Sequence, residues 1–111
     1  MTRSKYGAIK TIVDGITFDS NRESVRYREL RNMQRAGMVK NITLQPKFLL
    51  QDGYRRSDGK RIRAINYIAD FKVEYPDGHI EIEDSKGMET EVFKIKRKLL
   101  EAKYDLILKI V

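Results

Sequence analysis

Between Ile62 and Tyr75 apolar and polar side chains alternate, and no other stretch limits the fold so tightly. Successive side chains of a strand point to opposite faces. Ile62, Ala64, Asn66, Ile68, Asp70 and Lys72 therefore take one face, and Ile65, Tyr67, Ala69, Phe71, Val73 and Tyr75 the other. The run predicts one long strand. Tyr75-Pro76-Asp77-Gly78-His79 follows and suits a type I turn with Pro at its second position and a left-handed Gly closing a bulge. A second strand over Ile80–Lys86 then returns antiparallel. A three-residue loop pairs Tyr75 with His79. Stepping back along both strands sets Asp70 opposite Asp84 on one face, with Lys86 a diagonal step away. A two-residue loop would send the two aspartates to opposite faces, so the register is decisive. Glu81 and Glu83 alternate onto the other face and read as solvent or salt-bridge residues. Should the register slip by one, Glu83 replaces Asp84.

The remaining elements follow from local chemistry. Lys10–Val13 and Ile16–Phe18 flank Asp14-Gly15, a dipeptide suited to the positive φ angles of a hairpin turn. Ser20-Asn21-Arg22-Glu23 has capping-box spacing. Val25, Tyr27, Leu30, Met33 and Ala36 then recur at helical intervals until Gly37, giving a helix over about Asn21–Ala36. Ile42–Leu50 is β-rich, with Pro46 marking an edge or bulge. Thr90 caps a basic second helix to about Lys103, and Leu106–Val111 reads as a buried strand. The order is hairpin, α, β, β, β, α, β: a mixed α/β (α+β) sheet flanked by two helices, the last strand returning parallel through its crossover helix. With 111 residues and no linker or repeat, the chain reads as one domain, residues 1–19 forming a hairpin or arm and 20–111 the core.

Charge narrows the function. The chain carries a net +7, which favours a polyanionic partner. Residues 1–63 hold 15 basic and 6 acidic side chains, whereas residues 64–111 hold 8 and 10. Eight acids fall between Asp70 and Glu91, a costly concentration unless cations attend it. The absence of Cys excludes disulfides and thiolate metal sites, so any metal takes oxygen ligands. Residues 1–10 carry three basic side chains and no apolar run, so neither a signal peptide nor a membrane span is expected, and a cytoplasmic protein is.

Two carboxylates facing each other across a ladder repel by up to about 1 kcal/mol, a penalty that a divalent cation removes. Mg²⁺ or Mn²⁺ suits such a pair, binds phosphate oxygens as well, and lowers the pKa of a bound water. Lys86 on the same face is placed to steer that water or to stabilise charge on a phosphate. Asp70, Asp84 and Lys86 are thus the candidate catalytic set. Glu23 is the further candidate metal ligand, with a capping role as its structural alternative. Arg55, Arg56, Lys60, Arg61 and Arg63, opposed by Asp58 alone, form a local positive field that reads as a DNA-backbone contact, or else as a solvated hairpin tip. Lys94, Lys96, Arg97 and Lys98 are read as ambiguous, and Gln45 and Lys47 as possible neighbours of the site. His79, beside the turn, reads as exposed.

Asp70, Asp84-Ser85-Lys86 and Gly87 resemble the PD-(D/E)XK nuclease superfamily, whose core is α-β-β-β-α-β. Phe18-Asp19-Ser20 through Glu23, Tyr67-Ile68-Ala69-Asp70-Phe71, Glu83-Asp84-Ser85-Lys86-Gly87 and Glu101-Ala102-Lys103-Tyr104 further resemble a family of small phage- and prophage-encoded proteins. The superfamily resemblance implies metal binding by Asp70 and Asp84, water activation by Lys86, and completion of the site by Glu23. Ala69 stands where the name-giving motif has Pro. Phage endonuclease I and other Holliday-junction resolvases are small relatives that act as dimers on branched DNA. The resemblance therefore implies a Mg²⁺- or Mn²⁺-dependent deoxyribonuclease of phage replication or recombination, with a homodimer suited to two-strand cleavage. A non-catalytic DNA-binding module on the same fold is the alternative, and an adaptor whose charge serves solubility is a third.

Overall fold

The computed structural model describes residues 10–111; the expected arm over residues 1–9 lies outside them. Strands β1 (Thr11–Val13) and β2 (Ile16–Phe18) form the expected hairpin, with Asp14 and Gly15 at φ 54° and 75° in its turn. Helix α1 (Asn21–Arg35) starts where the Ser20 hydroxyl accepts the Glu23 N–H at 3.1 Å, and it ends before Gly37 at φ 80°. There follow β3 (Asn41–Leu44), β4 (Lys47–Gln51), β5 (Tyr54–Arg55), β6 (Arg61–Ile62), β7 (Ile65–Ile68), β8 (Phe71–Glu74) and β9 (Ile80–Asp84). Helix α2 (Glu91–Tyr104), capped by Thr90, leads to β10 (Leu108–Ile110).

The architecture is mixed α and β. Four strands form one sheet in the order β10-β9-β8-β3. β8 is antiparallel to both β3 and β9, and β10 lies parallel to β9 after the α2 crossover. Each helix covers one face. On the first, Tyr27 and Leu30 of α1 pack with Phe18, Phe71 and Val73. On the second, Phe93 and Leu100 of α2 pack with Ile82, Leu108, Tyr67 and Ala69. Burying a side chain such as Phe71 or Leu100 contributes about 1.5–3 kcal/mol. Glu83 crosses the first face fully buried, and a two-pronged bond from Arg26 at 2.8 and 2.7 Å satisfies it. It is a salt-bridge residue as expected, but an interior one.

The predicted long strand is broken. β7 and β8 are separated by Ala69 and Asp70, and opposite them β3 and β4 are separated by Gln45 and Pro46. Gln45 stands at φ 51°, and the gap is stitched by Gln45 N–H to Asp70 O at 2.9 Å and Ala69 N–H to Pro46 O at 3.0 Å. The kink sends the apolar alternates to different cores: Tyr67 and Ala69 to α2, Phe71 and Val73 to α1. Beyond it, β4–β7 and β5–β6 continue as a two-stranded ribbon that leaves the four-stranded sheet.

β10 also departs from expectation: it is an edge strand. Ile107 before it is 83% exposed, because Asp105, left-handed at φ 51°, ends α2 and turns the chain outward. Among the described residues no helix is long and apolar enough to cross a membrane.

Candidate active site

The turn sets the register. Tyr75 N–H donates to His79 O at 3.0 Å and Gly78 stands at φ 92°, which makes the loop three residues long. Phe71 then pairs with Glu83, and Asp70 is the next residue out, opposite Asp84. Both lie where β9 ends and the ribbon begins. Asp70 N–H reaches Glu83 O at 3.2 Å and Asp84 Oδ1 at 3.0 Å, while Ser85 N–H donates to Asp70 Oδ2 at 2.7 Å. The two carboxylates are therefore oriented by each other's strand rather than left to collide.

Asp84 is 1% exposed, and its Oδ2 accepts from the Tyr67 hydroxyl. Burial pushes its pKa up to about 6, against the lowering effects of Lys86 and the Asp70 N–H. Lys86 Nζ stands 3.9 Å from Asp84 Oδ2 and 4.9 Å from the Phe93 ring centroid, so packing and charge both hold the ammonium at the strand end.

Glu23 arrives from the first turn of α1. Burial pushes its pKa up to about 8, and the Asp70 carboxylate, within hydrogen-bonding reach, adds to the rise. The Asp19 N–H opposes it. A cavity of about 150 Å³ opens beside the pair, lined by Phe18, Asp19, Glu23, Leu44, Gln45 and Asp70. The capping interaction at Glu23 uses its backbone N–H, which leaves its carboxyl free to face Asp70.

Asp70, Asp84, Lys86 and Glu23 thus converge on one end of the sheet. Three further residues belong to this region. Tyr67 holds Asp84, although strand alternation assigns it to the face opposite Asp70. Asp19 lines the cavity one residue before the cap, and its signal was its place in the Phe18-Asp19-Ser20 stretch. Gln45 lines the cavity because the kink turns it there, whereas Lys47 sits on the ribbon.

The donors fit a hard cation in type, all being oxygens. Burial and the neighbouring Asp70 carboxylate disfavour the charged form of Glu23, a cost that a cation beside the two would relieve. Ser85 Oγ, between Asp84 and Lys86, is buried without a hydrogen-bond partner. Among the described residues, however, no three acidic side chains group closely enough to form a ready ion site. Asp84 leans to Tyr67 and Asp70 toward Glu23, so the three acids are drawn to different neighbours.

The basic residues assemble elsewhere. Arg55, Arg56, Lys60, Arg61 and Arg63 are exposed at the ribbon tip, where an open cleft of about 550 Å³ is lined by Tyr54, Arg55, Arg61, Ile62 and Arg63. Arg56 pairs with Asp58, and Arg55 donates to Gly59 O at 2.8 Å. Eight residues separate Arg61 from Asp70, a span of at most about 30 Å at strand rise. Lys96 and Arg97 are structural, binding Asn66 O at 3.2 Å and Leu108 O at 2.9 Å. His79 is exposed and stacks on Tyr75.

No curated protein and no solved structure matches the chain. A family model described as a protein of unknown function (DUF1064) matches residues 3–110, and the chain belongs to that family.

Proposed function

We propose that the chain is a Mg²⁺- or Mn²⁺-dependent endonuclease of the PD-(D/E)XK type that hydrolyses DNA phosphodiester bonds. Branched DNA of phage replication or recombination, in the bacterial cytoplasm, is its proposed substrate. The observation that carries this reading is Asp70 opposite Asp84 at the end of adjacent strands, with the Lys86 ammonium 3.9 Å from Asp84. The element order, with β10 parallel to β9 after a crossover helix, supports it.

Glu23, Asp70 and Asp84 would hold the ion, which would supply positive charge to the scissile phosphate and an acidified water. The chain's own groups do the positioning. Tyr67 fixes Asp84, Ser85 N–H fixes Asp70, and Lys86 presents a cation for charge developing on the phosphate. The ribbon tip holds the DNA backbone away from the reacting bond.

One observation favours a second reading. The three acids do not close on one point among the described residues, with Asp84 already bonded to Tyr67, as in a DNA-binding module that does not cut. Incubating the protein with supercoiled, linear, single-stranded and four-way-junction DNA, with Mg²⁺, Mn²⁺ or EDTA, separates the two. Metal-dependent nicking lost in Asp84→Asn supports the enzyme. Binding without any cutting supports the module.

A further inference from the structure

Val92, Ile95 and Leu99 form an apolar stripe along α2 that the described chain leaves uncovered, at 63%, 58% and 48% exposure. Met88, two residues before the cap, extends it at 78%. The helix already buries Phe93 and Leu100 against the sheet, so the stripe is a second apolar face. Its spacing of three and four residues is that of a helix–helix seam. An isolated exposed Leu or Ile is ordinary, but three in register on one helix, with Met88 continuing their line just before it, mark an interaction surface.

The flanking charges identify the occupant. Glu91 and Lys98, one heptad apart, lie along the same margin of the stripe, and both are exposed; Glu91 meets only the exposed Lys94 of its own helix, at 3.4 Å, a solvated pair that a partner's lysine can replace. Set α2 antiparallel to a second α2 so that Val92 meets Ile95 of the second copy and Met88 meets its Leu99. Glu91 of each copy then lies beside Lys98 of the other. The surface is complementary to itself, which is the requirement of a twofold interface.

At the β10 edge of the sheet, side chains already occupy the start of the strand: the Leu108 carbonyl accepts from Arg97 at 2.9 Å and its N–H donates to Glu101 at 2.8 Å.

We propose that the protein forms a homodimer through antiparallel packing of α2 on α2, with Val92, Ile95 and Leu99 at its dry centre and Glu91 and Lys98 paired across its rim. The interface is independent of the nuclease reading. A stable dimer hides roughly 800 Å² per partner, so the rim and the approach around Met88 must join the stripe.

Sedimentation velocity of the full chain across the micromolar range tests this. A concentration-dependent monomer–dimer equilibrium is expected. Ile95→Glu, at an exposed site that leaves the fold intact by circular dichroism, weakens the dimer by about 100-fold. Glu91→Lys and Lys98→Glu each weaken it about tenfold, and the double exchange recovers it to within about threefold. A chain that stays monomeric throughout, an Ile95→Glu variant that dimerises like the parent, or a double exchange no better than its singles would each overturn the proposal.

Discussion

Asp70 and Asp84 exchange hydrogen bonds across two strands: Asp70 N–H donates to Asp84 Oδ1 at 3.0 Å, and Ser85 N–H returns to Asp70 Oδ2 at 2.7 Å. Each carboxylate also has another neighbour: the Tyr67 hydroxyl donates to the second oxygen of Asp84, and Glu23 lies beside Asp70. Under the nuclease reading, Asp70→Asn and Asp84→Asn lower plasmid nicking by at least about 10³-fold and Lys86→Met by about 10²-fold. Unchanged circular dichroism would show that chemistry and not folding was lost. Activity retained in all three variants would remove the site.

The Tyr67 hydroxyl is a support for Asp84. Tyr67→Phe leaves a buried carboxylate oxygen short of a donor and costs about 1–3 kcal/mol, read as a lower urea midpoint with unchanged slope. No loss of stability would mean that Asp84 finds another partner.

Burial and Asp70 hold Glu23 as the acid up to about pH 8, and burial holds Asp84 so up to about 6, against ordinary values of 4.5 and 3.8. Between those limits the folded chain binds more protons than the unfolded one, so these groups make stability fall as pH rises from about 4 to 8. In EDTA the melting temperature should fall across that window, and Glu23→Gln should flatten the fall and gain stability at the alkaline end. Mg²⁺ at ten times its Kd should add about 1.4 kcal/mol, most visibly at high pH. A slope identical in Glu23→Gln would assign it to other groups, and melting unaffected by Mg²⁺ and Mn²⁺ would favour the non-cutting module.

Glu83 is fully buried and depends on Arg26. Arg26→Met strands that carboxylate and costs about 3–5 kcal/mol, whereas Arg26→Met with Glu83→Leu recovers most of the loss. Equal destabilisation of the single and double variants in chemical denaturation would contradict this.

At the ribbon tip, Arg55→Ala with Arg61→Ala should weaken DNA binding across sequences and reduce the slope of log affinity against log salt by about 2. An unchanged slope would make these side chains bystanders.

The parts of this structure that sequence reveals are those decided within a few residues. Pro76-Asp77-Gly78 specifies its own loop length, and the loop specifies the partner of Asp70. Asp14-Gly15 and the Ser20 cap are equally local. The break at Ala69–Asp70 is invisible in its own strand, because alternation runs through it unbroken and only the two separate cores distinguish Tyr67 from Phe71; the facing break at Gln45–Pro46 is the interruption that Pro46 marks. Gln45 reads from the sequence as a neighbour of the site and does line its cavity, but the left-handed angle that turns it there is one its side chain does not favour, so its direction is set by the fold. Tyr67 and Asp19 fall in stretches that the family resemblance singles out, but their contacts are tertiary: Tyr67 reaches Asp84 across the kink, and the start of α1 sets Asp19 beside the cavity.

From Arg61 in β6 the chain passes through Arg63 and along β7 to the bend at Ala69 and Asp70. The ribbon is in effect a lever with its fulcrum at the acid pair. Whatever the far end grips pulls first on Gln45 and Asp70, and the bonds stitching that bend are the joint through which the load arrives.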